Sequence, residues 1–183
     1  MIDIASKLAK YLRCRGRDIA RFCRARGAAT AVEFALIAPA FIATLVAVLQ
    51  TCIFLFAQMA LQNEAVEAGR YFLTGQAQNN GWSANTIVNK VCLSALFNCN
   101  NMYVVVQNYA SFASASTSAP QMYNNGQPIT NYAFNPGGPG DVMVVQLIYA
   151  WPVVSAPLGF NLSNLPNNAA EIMGVSAFRV EPY

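Results

Sequence analysis

A chain of 183 residues with 10% charged and 55% hydrophobic side chains is too apolar for an ordinary soluble domain, where charged residues make up roughly 25%. Its formal net charge of +3 hides a segregation: eight of the 11 Lys and Arg precede Gly27, opposed only by Asp3 and Asp18, so the leader carries +6 and the remainder −3. Basic residues placed ahead of an apolar run, rather than across a folded surface, argue against nucleic-acid binding. The absence of His removes Ser–His and Cys–His nucleophile pairs and His-containing zinc sites.

In the leader, Lys7, Lys10, Arg13, Arg17, Arg21 and Arg24 recur every three or four residues among Ile4, Leu8, Leu12, Ile19 and Phe22. Two readings fit: a basic amphipathic helix on anionic lipid, or a flexible basic tail that only sets topology. No charge occurs between Glu33 and Glu64, and Phe34 to Ala57 (FALIAPAFIATLVAVLQTCIFLFA) exceeds the ~20 residues needed to cross hydrocarbon. A spanning helix is expected there, with the N-terminus in the cytoplasm and the C-terminal part outside, because Lys and Arg accumulate on the cytoplasmic side. Pro39 lies inside the span, and Gln50 and Gln58 are its strongly polar side chains. Beyond it, Met59, Leu61, Val66, Tyr71 and Phe72 mix with Gln62, Asn63, Glu64, Glu67 and Arg70, which predicts an amphipathic stem stopping near Gly75.

After Gly75, Ser83 can cap a short helix running to about Phe97, with Ile87, Val88, Val91, Cys92, Ala95 and Leu96 on one apolar face. Three β-rich runs follow: Met102 to Phe112, Val142 to Trp151 and Ile172 to Val180. Between the first two, Ala113 to Gly140 is rich in Ser, Ala, Asn, Gly and Pro and reads as a long surface loop, with Asp141 as a turn residue. The connection Pro152 to Ala170 carries Leu158, Phe160, Leu162 and Leu165, a candidate contact surface for another protein. The expected fold class is α+β: a transmembrane and stem helix (28–75) after a leader (1–27), then a periplasmic domain (76–183) of one helix and an antiparallel sheet of about three strands.

Cys14 and Cys23 fall in the leader and Cys52 in the span, which leaves Cys92 and Cys99 as an even pair in the oxidising space, predicted to be a disulfide. On one continuous helix they would be about 10.5 Å apart, beyond the ~7 Å limit for bridging, so the helix must end between them, with Asn98 a fitting place. Glu33 is a lone carboxylate at the margin of the uncharged run. It either snorkels to headgroups or finds a cationic partner.

A basic leader ending in Gly27, followed by AATAVEFALIAP, resembles the processing and span motif of TadE-like pseudopilins of the tight-adherence (Flp) pilus. The Cys92 and Cys99 pair, the GDVMVVQLIYAW strand and the closing AFRVEPY are similar to later motifs of that family, so the resemblance runs over nearly the whole chain. It implies a non-catalytic minor pseudopilin of the inner membrane, without cofactor or metal, that takes part in pilus assembly. Its implied partners are a prepilin peptidase, other pseudopilins, the major Flp-type pilin and the inner-membrane assembly platform, with no nucleic acid. Processing would involve Gly27, Ala28, Glu33 and Phe34, with the Glu33 carboxylate neutralising the new terminal amine of a neighbouring subunit. Counting from Ala28, Glu33 is sixth where the usual pattern has it fifth; cleavage after Gly27 with one extra residue, or after Ala28, both fit. The rival class is an envelope enzyme or ligand-binding domain on an uncleaved signal anchor, which requires a concave polar cluster that strand and loop composition does not suggest. A tip adhesin or DNA-uptake subunit is a third option; the Ala113 to Gly140 loop has Tyr123, Tyr132 and Phe134 but no Lys or Arg, which disfavours DNA.

Overall fold

The computed structural model describes residues 26–154 and 159–182. The leader up to residue 25, with Cys14 and Cys23, and Leu158 lie outside the described residues. Contacts divide the chain into two units, Met1–Val46 and Ala47–Tyr183.

In the first unit the described residues are all helical and belong to α1 (Arg26–Leu73). Val32, Phe34, Leu36, Ile37, Phe41, Ile42 and Leu45 are exposed there, Phe34 by 73%. The helix from Thr30 is long and apolar enough to cross a membrane, and its most apolar stretch is only 11% buried. A soluble core helix would be covered by protein instead. Pro39 sits inside α1 without ending it.

In the second unit, α1 acquires a buried stripe at helical spacing: Ala57, Leu61, Ala65, Ala68 and Phe72 are fully covered. Coverage starts earlier than the stem expected after Ala57, since Gln50 already donates from Nε2 to the Val154 carbonyl at 3.0 Å. The stretch Thr30 to Leu49 precedes that contact; at 1.5 Å per residue it spans about 30 Å, the thickness of the hydrocarbon core. On the opposite side of α1, Phe56 and Met59 stay exposed.

Gly75, at φ 72°, ends α1 as expected, and a single turn, α2 (Gln76–Asn79), follows. α3 (Ala84–Val91) begins at Ser83, whose hydroxyl accepts from the Thr86 amide as the sequence predicts. It stops six residues before Phe97, because Cys92 turns extended (ψ 123°) and the Leu93 amide leaves the helix to bond a side chain of α1. The predicted Cys92–Cys99 disulfide is present with its Cα atoms 5.9 Å apart. Asn98 does not end α3; it accepts from the Asn100 amide at the head of a 3-10 turn, Cys99–Asn101.

The sheet has three antiparallel strands in the order β1, β4, β5: β1 (Met102–Tyr109), β4 (Val142–Pro152) and β5 (Ala169–Arg179). β1 ends three residues short of Phe112, and β5 starts three residues before Ile172. Met143, Val145, Leu147 and Tyr149 of β4 face α1 and α3, while Ile148 packs with Val105 and Met122 on the other face. Because β4 is central and covered on both faces, its sequence is apolar without alternation. Its one amide, Gln146, is buried and donates to the Ser118 carbonyl at 3.0 Å.

That second cover comes from the segment expected as a long surface loop or insertion over 113–140, most of which is at the surface but part of which packs on the sheet. The segment holds a small hairpin, β2 (Tyr123–Asn124) and β3 (Gln127–Pro128), turned by Asn125 (φ 48°) and Gly126 (φ 78°), an Asn-Gly pair suited to a two-residue turn. Met122, Tyr123 and Tyr132 then lie against the sheet. The candidate contact surface also turns inward: Leu165 joins this second cluster, and Leu162 lines an apolar cavity of about 150 Å³ with Gln50, Phe54 and Trp151. Asp141 is the turn residue expected, its Oδ2 accepting from the Gly138 amide at 2.9 Å.

Candidate functional site

Two features set the functional part of α1: its N-terminal turns and the seam where it meets β5. Gly27 and Ala28 lie in the first turn of the described helix. Glu33 is exposed, with no hydrogen-bond or ion-pair partner among the described residues, and Phe34 beside it is also exposed. An exposed carboxylate among exposed apolar side chains is a poor arrangement in lipid and a suitable one for meeting a cation from another chain.

At the seam, β5 is an edge strand, so alternate backbone groups point away from β4 and need partners. Gln58 and Gln62, one helical turn apart, supply them. Gln58 Nε2 donates to the Met173 carbonyl (2.7 Å) while its Oε1 accepts from the Met173 amide (3.3 Å). Gln62 does the same for Val175, at 2.8 and 3.0 Å. Gly174 between them lets the two backbones meet: a Cβ there would overlap the Leu61 carbonyl oxygen and lie 2.8 Å from Ala65 Cβ. Thus an antiparallel edge is closed by side-chain amides rather than by a fourth strand.

A third anchor is Glu64. It is 8% exposed; Oε1 accepts from the Leu93 amide at 2.7 Å, while Oε2 is buried without a partner. The bond ties the disulfide loop to α1. Burial pushes the carboxyl above its ordinary 4.5, the Leu93 amide opposing in part, and burial also raises Glu171. A folded pKa above the unfolded one makes the fold most stable below about pH 4.5, and that stability is lost as pH rises through the raised value. The thermal midpoint of the detergent-solubilised chain should therefore fall as the pH is raised above about 4.5, and Glu64→Gln should flatten the slope. A midpoint equally steep in Glu64→Gln would deny Glu64 that role.

Of the residues singled out from sequence, Cys92 and Cys99 are brought together, whereas Gly27, Ala28, Glu33 and Phe34 share the start of one helix and converge with nothing else described. Gln62, Glu64 and Gly174 were not foreseen as anchors. The available signal was two glutamines at i and i+4 where the apolar span passes into the mixed stem.

Among the described residues one apolar helix is of membrane-crossing length, and it continues into a small disulfide-linked α+β domain, the layout of a membrane-anchored protein. Residues 28–70 match the family described as TadE-like protein, so this segment, which carries the motif around Glu33, is similar to that family. That family is one of pilus components and is not known for enzymes. The match covers α1 but not the sheet domain. No curated protein and no solved structure matches the chain.

Proposed function

We propose that the chain is a non-catalytic minor pseudopilin that takes part in assembly of a tight-adherence (Flp-type) pilus after a prepilin peptidase removes residues 1–27. The observation that carries this reading is the start of the TadE-like match at residue 28, directly after Gly27. Its division is the leader 1–27, the membrane and stem helix 28–75, and the extracytoplasmic domain 76–183. The basic leader keeps the N-terminus in the cytoplasm and the helix anchors the chain in the inner membrane. Cleavage frees an amine beside the first turns of α1, and Glu33, unpartnered among the described residues, accepts the corresponding amine of a neighbouring pseudopilin or of the major pilin. Phe34 and the exposed apolar residues around it pack between such helices. The assembly platform of the inner membrane is the remaining partner.

Mass spectrometry of the native protein tests the first step: the mature chain begins at Ala28, or at Ala29 if the cut falls one residue later, and begins at Met1 in cells lacking the peptidase. A chain that begins at Met1 in peptidase-competent cells overturns the reading and favours an uncleaved anchor. Breaking an ion pair in a low-dielectric setting costs about 3–5 kcal/mol, so Glu33→Ala should reduce piliated cells at least about tenfold while leaving cleavage intact.

A further inference from the structure

The second unit contains a cleft outside everything assigned above. It lies between α3, the 3-10 turn at Cys99–Asn101, the outer margin of β1 and the 130–132 segment, in two adjoining lobes of about 460 and 220 Å³. Its lining residues include no Asp, Glu, Lys or Arg. Asn85, Asn89, Asn100, Asn131 and Thr130 present amides and a hydroxyl instead. Each Asn side chain carries both donors and an acceptor.

The floor is chemically incomplete. Val106 of β1 gives its amide to the Ala133 carbonyl and accepts from the Asn135 amide, both at 2.9 Å, so the even-numbered residues of β1 point their backbone groups away from β4. Met102, two positions further from that bridge than Val104, donates to the Cys99 carbonyl. Val104 between them is 97% covered, lines the cleft, and has no hydrogen-bond partner for its N–H or C=O among the described residues. A ligand in the cleft can therefore accept from this amide and donate to this carbonyl in place of water, each such hydrogen bond being worth about 0.5–1.5 kcal/mol net. One wall is aromatic: the Tyr103 and Tyr132 rings have centroids 5.4 Å apart. Tyr132 stays protonated at neutral pH, since burial, with Tyr103, Glu171 and Tyr123 nearby, pushes it up to about 12. Its hydroxyl donates to the Gln121 carbonyl at 3.2 Å, which fixes the ring.

We propose that this cleft binds a neutral saccharide. Sugar hydroxyls both donate and accept, matching the Asn side chains and the Val104 peptide group, while the apolar face of a pyranose suits the tyrosine wall. An anion or cation finds no counter-charge here. A peptide adding to β1 needs a run of open edge groups, and on that edge Val106 is engaged on both sides and Met102 through its N–H. This inference does not rest on pilus assembly, because an uncleaved anchor would carry the same cleft. It also supplies the concave polar cluster that sequence composition did not suggest.

The test uses the full chain in a zwitterionic detergent without sugar headgroups, applied to an array of neutral hexose and N-acetylhexosamine oligosaccharides, sialylated and sulfated oligosaccharides, and extended peptides. The expected result is retention on neutral glycans, an at least tenfold loss (about 1.4 kcal/mol) in Asn89→Asp and in Asn100→Asp at unchanged thermal midpoint, and slower hydrogen exchange of the Val104 amide with the retained glycan present. Retention only on acidic glycans, retention only on peptides, or no retention at all overturns the proposal. Neutral-glycan binding that leaves Val104 exchange and both Asp variants unaffected overturns it equally, by placing the site elsewhere.

Discussion

Replacing Gln58 and Gln62 together by Leu should lower the unfolding free energy of the domain by roughly 4–6 kcal/mol. Leu fills nearly the same volume and suits an apolar helix, so α1 itself has no reason to melt. What disappears is four hydrogen bonds, and the Met173 and Val175 amides and carbonyls are left facing a helix that cannot answer them. Each buried, unanswered group costs about 1–3 kcal/mol; the glutamines are half-buried, which places the sum in the lower part of that range. Urea titration of the detergent-solubilised chain, followed by the tertiary signal of Trp151, measures it. A double variant within about 1 kcal/mol of the parent would show that water closes the strand as well as the amides do.

Gly174→Val is the second large effect, at about 3 kcal/mol or more. The atoms a new Cβ meets are the backbone oxygen and carbonyl carbon of Leu61 and the Cβ of Ala65, none of which can rotate away. The helix must separate from β5, and the glutamine bonds on either side stretch with it. Limited proteolysis should then cut α1 in its 57–72 stretch, which the parent protects. Gly138→Ala provides the contrast, since a Cβ at Gly138 meets nothing within 4 Å; its stability should match the parent. Equal stability of Gly174→Val would mean that the close approach is dispensable.

Elements whose signals are local were legible in the sequence. The uncharged run after Glu33 announces α1, and the unbroken apolar run of β4 marks a strand covered on both faces. The Ser83 cap and the Gly75 stop need only neighbouring residues to operate. The disulfide followed from counting cysteines by compartment. Features set by distant chain segments were not legible. Gln58 and Gln62 bond residues 115 and 113 positions away, and no local pattern encodes such partners. α3 stops at Val91 because Glu64, on another helix, takes the Leu93 amide; the apolar periodicity running on towards Phe97 reflects packing of the disulfide loop instead. The excursion at 113–140 looked like loop by composition, yet Met122 and Tyr132 bury against the sheet. The roles given to Gly27, Ala28, Glu33 and Phe34 rest on the TadE-like match over 28–70 and on chemistry, not on convergence within one chain.

Crowding is the normal condition of a protein confined to two dimensions, and a small sheet with open flanks invites copies to zip into ribbons. Here glutamine amides occupy one flank at Met173 and Val175, and the Ala133 to Asn135 segment occupies the other at Val106, so among the described residues neither flank offers a long unbroken run of open backbone groups. Flanks interrupted in this way make a poor template for an incoming strand. Main-chain zippering of copies is thereby disfavoured, which leaves any contact between chains to side-chain surfaces.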